Sequence, residues 1–384
     1  MKPPLALPLF LKVLFLWQTC LVAEVKSYKA DVCVYGGTAS GVMAALASEK
    51  EGSKVILIEP TRYLGGMTGG GINHLDWGKG ETVGGSTYKI LMEGLKDQKR
   101  AHGGHAKHGI GNKQYRERFK KLVKDRGITV IYDHRVGKVQ VGDETFDKPT
   151  RQQPIAMGEK IPSKNKNNSI ESIFLDYAPV DEIGCPIPEP KKRNAITISA
   201  KVFIDCSYEG DLLAMSGVRY TWGRESREHY DESLAGVLPS LWLHDIDPYV
   251  EPGNPKSGLI PFVQDRKIGP LGSADSLSMG YCFRYEFDKS GKGIPIPEPV
   301  DYDPAEFELY RRALNGNLDI FSSRKMRYTL DLKEAKKHPF IGGANLNRNL
   351  MASTAYGCNV DYPNGDWATR SRIWKFHQEF LSKI

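Results

Sequence analysis

The chain has 384 residues, of which 40% are hydrophobic and 26% charged, with a formal net charge of +7. This composition supports a large buried core and two or three structural units, or one nucleotide-binding fold with an inserted domain. Basic residues crowd into residues 89–151 and 311–337 without interleaved aromatic residues, so they indicate solvated helix faces. A nucleic-acid partner is therefore not predicted.

Residues 1–23 have the pattern of a secretion signal. Lys2 precedes a mostly apolar stretch, interrupted by Lys12, and Leu21 and Ala23 stand at the positions that favour cleavage. We therefore expect a secreted or periplasmic protein, and no later segment is apolar enough to cross a membrane. After signal removal five widely spaced cysteines remain, an odd number that disfavours a disulfide framework or a zinc site: Cys33, Cys185, Cys206, Cys282 and Cys358.

The next segment reads as strand, glycine turn, helix, strand and acid. Residues 32–35 predict a strand, GGTASG at 36–41 a turn into a helix, and residues 55–58 a second strand that ends at Glu59. This is the order of a dinucleotide-binding βαβ unit. A purely structural strand-to-helix turn is the alternative. The predicted cofactor contacts here are Gly36, Gly37, Thr38, Ala39, Ser40, Gly41, Glu59 and Pro60.

Each part of this segment has a mechanical role. Gly36 permits the tight turn, Gly41 lets the helix pack on the sheet, and the amides of the turn can bind a pyrophosphate at the helix N-terminus. Glu59 can accept hydrogen bonds from an adenosine ribose and would repel a 2′-phosphate, which disfavours NADP. Thr38 departs from the usual glycine, and its β-branched side chain crowds the pyrophosphate position.

A glycine-rich stretch, LGGMTGGG, follows Glu59. So many glycines disfavour a regular helix or strand and predict backbone that lies flat against a planar ligand. A flexible loop is the alternative. Gly65, Gly66 and Met67 are the predicted contacts, and only a cofactor longer than a mononucleotide would need them.

Several ordered motifs resemble one family. GGTASG, IEP and LGGM are followed by FIDCSYEGD at 203–211, GVRYTWGRE, DPYVEPGNPKSGLIP, YCFRYEF, YDPAEFELYRRAL and STAYGCNVDYPNGDWATRSRIW. Together they resemble the flavin-dependent oxidoreductases often found in secreted bacterial proteins of the xanthan-lyase-associated type. The resemblance covers most of residues 31–374 and implies FAD as the cofactor. In that family a residue other than glycine at Thr38 is tolerated.

The resemblance also implies further cofactor contacts. The backbone near Val136 would contact the adenine, and Asp205, Cys206 and Ser207 would approach the flavin nucleotide. Cys206 takes a place usually held by alanine, and with nothing to lower its pKa it is predicted to be a small core residue and not a redox thiol.

Between these motifs, residues 114–126 predict a helix and residues 128–141 a strand, followed by an exposed insertion at 142–168. His102, His105 and His108 lie among glycines with no carboxylate in step. A solvated loop is therefore favoured there, and no metal site is predicted.

Residues 219–340 differ in composition from the preceding segment, with aromatic residues, prolines and short strand-like runs. They predict an inserted, mixed α+β substrate domain with a helix at 302–314. Its candidate substrate contacts, each equally compatible with a structural hydrogen bond, are Arg224, Glu225, Tyr281 and Arg284. His229 and His244 lack a triad-like context, so structural roles are favoured for both.

The end of the chain, residues 341–384, contains an amphipathic helix from residue 371. Family members usually continue beyond it with a second flavin-contacting segment, and an acidic family residue is missing near Asn345. The resemblance therefore implies a chain truncated relative to the family.

The resulting prediction is an α/β fold: a Rossmann-like FAD-binding domain at 29–218 with the inserted domain and the C-terminal segment. Its expected activity is hydride transfer to FAD, which carries the redox chemistry, from a small polar substrate such as a carbohydrate-related molecule. The alternatives are a truncated non-catalytic protein that keeps the nucleotide fold and an NAD-dependent oxidoreductase. No general base and no oligomeric state is predicted.

Overall fold

The computed structural model describes residues 25–70, 84–86, 112–147, 169–218, 220–237, 246–267, 269–280, 283, 298–316, 355 and 357–383. Its strands are β1 (Lys26–Tyr35), β2 (Val55–Glu59), β3 (Thr129–Tyr132), β4 (His134–Val141), β5 (Glu144–Phe146), β6 (Ile170–Tyr177) and β7 (Lys192–Asp205). In the described residues they form one seven-stranded sheet in the order β3-β2-β1-β7-β6-β4-β5.

The first half of the sheet is parallel. Strand β1 lies between β2 and β7 and pairs in parallel with both, and β3 pairs in parallel with β2. All five residues of β2 are buried, as expected for a parallel strand covered on both faces. The carboxyl ends of β1, β2 and β7 therefore meet at one edge, where ligands bind in folds of this kind.

The helices are α1 (Ala39–Lys50), α2 (Gly66–Gly70), α3 (Asn112–Asp125), α4 (Asp211–Met215), α5 (Arg227–Tyr230), α6 (Glu308–Gly316) and α7 (Trp367–Lys383). Alternation along β1 divides the core. Val34 packs with Val42 of α1 and Phe119 of α3 on one face. Cys33 and Tyr35 belong to the core on the other face, with the antiparallel strands and α4.

The prediction of one strand at 128–141 is wrong, because two strands occupy this stretch. Asp133 stands between them with a positive φ of 59°. Strand β3 pairs in parallel with β2, whereas β4 pairs antiparallel with β6 and β5, so the chain changes direction at this residue. In the exposed insertion predicted at 142–168, the described residues include the short strand β5, and residues 143–145 and 147 are exposed. Residues 148–168 lie outside the described part, so the insertion stays a prediction.

Much of the described chain between residues 220 and 280 consists of turns, with isolated bridges between Arg224 and Asp275 and between Tyr249 and Leu259. The predicted helix at 302–314 begins as a 3₁₀ turn, Pro304–Phe307, whose Ala305 amide donates to Asp303 Oδ1 at 2.9 Å, and continues as α6. The inserted domain remains a prediction.

Helix α7 begins at Trp367, earlier than the predicted residue 371, because the Asp366 carboxylate accepts a hydrogen bond from the Thr369 amide at 2.8 Å. Its Phe380 packs with Phe307 and Ala355. The four cysteines within the described ranges are free. No helix among the described residues is long and apolar enough to cross a membrane.

Candidate functional site

Two turns meet at the carboxyl edge of the parallel strands, one after β1 and one after β7. Gly36 has a φ of +93°, and a Cβ there would lie 2.6 Å from the amide nitrogen of Ser207. A Cβ on Gly41 would overlap the carbonyl oxygen of Gly36. Only glycine at both positions allows this approach, which brings the N-terminus of α1 to the cleft between the turns.

Thr38 is the N-cap of α1. Its Oγ1 accepts a hydrogen bond from the Gly41 amide at 3.3 Å and donates to the carbonyl oxygen of Cys206 at 2.8 Å. The side chain thus joins the two turns. Ala39 and Ser40 form the first residues of α1, with Ser40 Oγ 2.9 Å from Thr38 Oγ1.

Glu59 is buried at the end of β2. Its Oε2 accepts a hydrogen bond from the Gly37 amide at 2.8 Å, and its Oε1 accepts from the amide and hydroxyl of Thr61 at 2.7 and 2.6 Å. Burial raises the pKa of the Glu59 carboxyl, against these hydrogen bonds, which lower it. Oε2 accepts only one of these three hydrogen bonds, so it can accept another from a ligand.

The glycine-rich stretch forms the short helix α2, so the prediction of irregular backbone is wrong for residues 66–70. The glycines serve close packing: a Cβ on Gly65 would lie 2.5 Å from the ring of Phe119, and one on Gly66 would overlap the hydroxyl of Tyr208. The Gly65 amide donates to the carbonyl oxygen of Gly37 at 2.7 Å, and the Met67 amide donates to Tyr208 Oη at 2.8 Å. This helix is therefore tied to both turns.

The turn after β7 is held by Asp205. Its Oδ1 accepts from the amide and hydroxyl of Ser207 at 2.8 and 2.7 Å, and its Oδ2 accepts from the Leu213 amide at 2.8 Å. Burial raises the pKa of the Cys206 thiol. The thiol is therefore kept neutral, in agreement with the prediction of a structural cysteine.

Val136 lies in β4 and is buried. Its amide donates to Tyr35 Oη at 3.3 Å. The side chain of Val136 does not line the cavity described next, whereas Tyr35 and Arg135 do.

A cavity of about 410 Å³ opens between these elements. This is within the range of small-molecule sites. Seven of the predicted cofactor contacts line it: Gly36, Thr38, Glu59, Pro60, Gly66, Met67 and Ser207. The predicted contacts that are not among the lining residues, besides Val136, are Gly37, Ala39, Ser40, Gly41, Gly65, Asp205 and Cys206.

A second cavity lies among residues 223–236 and 277–279. Two of the predicted substrate contacts, Arg224 and Glu225, line it, and Arg224 forms an ion pair with Asp275. Tyr281 and Arg284 lie outside the described residues, as do His244 and the three histidines at 102, 105 and 108. His229 lies in α5, with its ring against Tyr230. Among the described residues no cluster of three metal-ligating side chains occurs.

Comparison with known families decides the class of this site. The model of the family described as FAD dependent oxidoreductase matches residues 31–156 and 187–384, which is most of the chain. The chain belongs to the FAD dependent oxidoreductase family. This confirms the predicted α/β FAD-binding fold and FAD as the cofactor.

Solved structures show only a weak likeness to this chain. L-proline dehydrogenase from P. horikoshii is 17% identical over 53% of this chain and 24% of its own, with a TM-score of 0.22. A geranylgeranyl bacteriochlorophyll reductase-like protein from Thermoplasma acidophilum is 15% identical over 50% and 43%, with a TM-score of 0.29.

A 3-ketosteroid dehydrogenase from Rhodococcus jostii is 15% identical over 48% and 47%, with a TM-score of 0.24. The match spans less than half of each of these three solved chains, and at such TM-scores they carry no argument about function. No curated protein matches the chain.

The geometry fits FAD. The close backbone approach that glycine allows at Gly36 and Gly41 brings the start of α1 to the cavity, where a pyrophosphate would bind, and Glu59 lines the cavity where an adenosine ribose would lie. The rest of the cavity comes from residues that sequence reasoning missed. Tyr362, Trp367, Arg370 and Trp374 belong to the C-terminal segment. They stand in the family-like motif at 353–374, but sequence reasoning gave none of them a role as a cofactor contact.

Proposed function

We propose that this FAD dependent oxidoreductase oxidises a small polar substrate, with bound FAD supplying the hydride acceptor. The main support is one geometric observation. The turns after β1 and β7, the end of β2 and helix α2 converge on a single cavity. A nicotinamide site would not need the contacts from α2 to both turns.

The residues of the chain bind and orient the cofactor. The amides at the start of α1 would donate hydrogen bonds to the pyrophosphate of FAD, and the Glu59 carboxylate would accept hydrogen bonds from the hydroxyls of its adenosine ribose. Thr38 and Asp205 hold the two turns in place through the hydrogen bonds described above. These groups are preorganised, so little conformational entropy is lost when the cofactor binds.

The second cavity supports a polar substrate. Charged groups line it together with Ser233 and Ser278, and Leu234 and Met279 add exposed apolar surface. Mixed polar and apolar surface suits a carbohydrate-related molecule. The secretion pattern of residues 1–23 supports the proposal that the protein is exported, and an exported oxidoreductase would meet such molecules outside the cell.

The test is the visible spectrum of the full chain, purified with and without added FAD. Bound flavin is expected to give bands near about 370 and 450 nm. Gly36→Val places a side chain against Ser207 and should abolish these bands, whereas Gly84→Val, at a glycine with open space around it, should keep them.

A folded wild-type protein that remains colourless with added FAD would overturn the proposal. Binding of NAD by that colourless protein would support the nicotinamide alternative. Binding of neither cofactor would support a non-catalytic protein that keeps the fold.

A further inference from the structure

The C-terminal helix α7 and the turn before it form one wall of the FAD cavity. Tyr362 in the turn and Trp367, Arg370 and Trp374 on the helix line the cavity. The three helical residues lie at i, i+3 and i+7, so they share one face of α7. Glu59 and the two turns line the same cavity.

Arg370 fastens this wall to the nucleotide fold. It is 3% exposed and forms two parallel hydrogen bonds with Asp211, the first residue of α4, from Nη1 and Nη2 at 2.8 and 2.7 Å. The same guanidinium donates to the carbonyl oxygens of Tyr362 and Pro363 at 3.0 and 2.7 Å. One side chain thus fixes the turn, the helix and the segment that follows β7.

Trp367 is held between two cations. The guanidinium of Arg370 lies 4.8 Å from the centre of its ring system, and that of Arg135 lies 4.2 Å from it. Arg135 is itself anchored, since it donates to the carbonyl oxygens of Ile187 and Pro188 at 2.7 and 3.1 Å. The tryptophan therefore has a fixed orientation before any ligand binds.

We propose that α7 is part of the FAD site: its tryptophans form the wall against which the adenosine half lies, and the Asp211–Arg370 pair positions that wall. The placement follows from the shared cavity, because Glu59 and Thr61 line it together with Trp367 and Trp374. A wall of large aromatic side chains excludes water from one side of a purine and gives it van der Waals contact without needing hydrogen bonds. The inference rests on the proposed function, since it requires FAD.

A positioning role also explains why a charged pair lies here. A buried ion pair adds little net stability compared with apolar residues of similar volume, because both charges lose their hydration. Two parallel hydrogen bonds do fix an orientation. The pair therefore contributes geometry to the cavity more than stability to the fold.

The experiment compares Trp367→Leu and Trp374→Leu with Phe376→Leu, an aromatic substitution on the same helix at a side chain packed beside Phe262 and Phe380, away from the cavity lining. Dissociation constants are measured for FAD, ADP and FMN, and thermal midpoints verify folding. We expect each tryptophan variant to bind FAD and ADP roughly tenfold more weakly, with FMN unchanged. Phe376→Leu should match wild type, and Trp367→Phe should recover most of the lost affinity.

The ion pair is tested with the double variant Asp211→Asn/Arg370→Gln, which removes both charges and leaves neither buried alone. We expect a folded protein with weaker binding of FAD and ADP and unchanged binding of FMN. If FAD and ADP bind to the folded variants as to wild type, or if FMN is weakened equally, α7 is not the adenosine wall. A wild-type protein that binds neither FAD nor ADP would instead remove the proposed function itself.

Discussion

The cavity proposed to bind FAD has two walls of different construction. One is made mainly of backbone, from the glycine turn after β1 and the short helix α2, with Glu59 between them. The other is made of large side chains from α7, held by an ion pair whose partners are 159 residues apart. A backbone wall depends on where glycine is tolerated, whereas a side-chain wall depends on long-range packing. The two should therefore fail differently when altered.

The largest effect is expected at the side-chain wall. Arg370→Met leaves the Asp211 carboxylate buried without its partner, and such losses cost about 3–5 kcal/mol in free energy of unfolding. Chemical denaturation measures this, with Arg372→Met on the exposed side of the same helix as the control. If the free energy of unfolding falls equally in the two variants, the Asp211–Arg370 ion pair is no more important for stability than an exposed arginine.

A smaller loss is expected at the backbone wall. Gly41→Ala adds a methyl group that overlaps the carbonyl oxygen of Gly36, which should cost about 1–3 kcal/mol and weaken FAD binding. Gly84→Ala is the matched control, because a Cβ there meets nothing within 4 Å. FAD affinity and the denaturation midpoint are both measured. If Gly41→Ala leaves both FAD affinity and the denaturation midpoint unchanged, the turn can shift without losing its ability to bind the cofactor.

The smallest effect concerns the pH dependence of Glu59. Burial and the nearby Asp133 raise its pKa above the usual 4.5, so the folded protein holds this proton more tightly than the unfolded chain. The contribution of Glu59 to stability should therefore fall as the pH rises from about 4.5 through the raised pKa, and stay constant above it. Unfolding of the FAD-free protein is compared with Glu59→Gln across this range. A contribution that increases with pH would contradict the assigned direction.

The backbone wall could be predicted from the sequence because its determinants are local. Gly36, Gly41 and Glu59 lie within one βαβ unit, where strand, turn, helix and acid occur in a fixed order. The family motif at 203–211 supplied the second turn through resemblance. In both cases the spacing of a few residues already implies the geometry.

The side-chain wall could not be predicted in this way. Trp367 and Arg370 stand in the family-like motif at 353–374, before the amphipathic helix predicted from residue 371. Nothing in their spacing indicates that Asp211 is the partner of Arg370. The division of residues 128–141 into two strands at Asp133 could not be predicted for a related reason, because β3 and β4 pair with different strands of the sheet. The helix α2 was missed because glycine is a poor helix former. The close contacts of Gly65 with Phe119 and of Gly66 with Tyr208 outweigh that preference.

The hydroxyl of Thr38 shows that the middle position of this dinucleotide-binding turn does not require glycine. A pattern that demands three glycines rejects this chain at its middle position, although the φ of −64° at Thr38 is one that any residue can adopt. The threonine also links the first turn to the strand end at Cys206, a connection that glycine cannot make. Search patterns that accept a small hydroxyl residue here should recover FAD-binding chains that glycine-only patterns pass over.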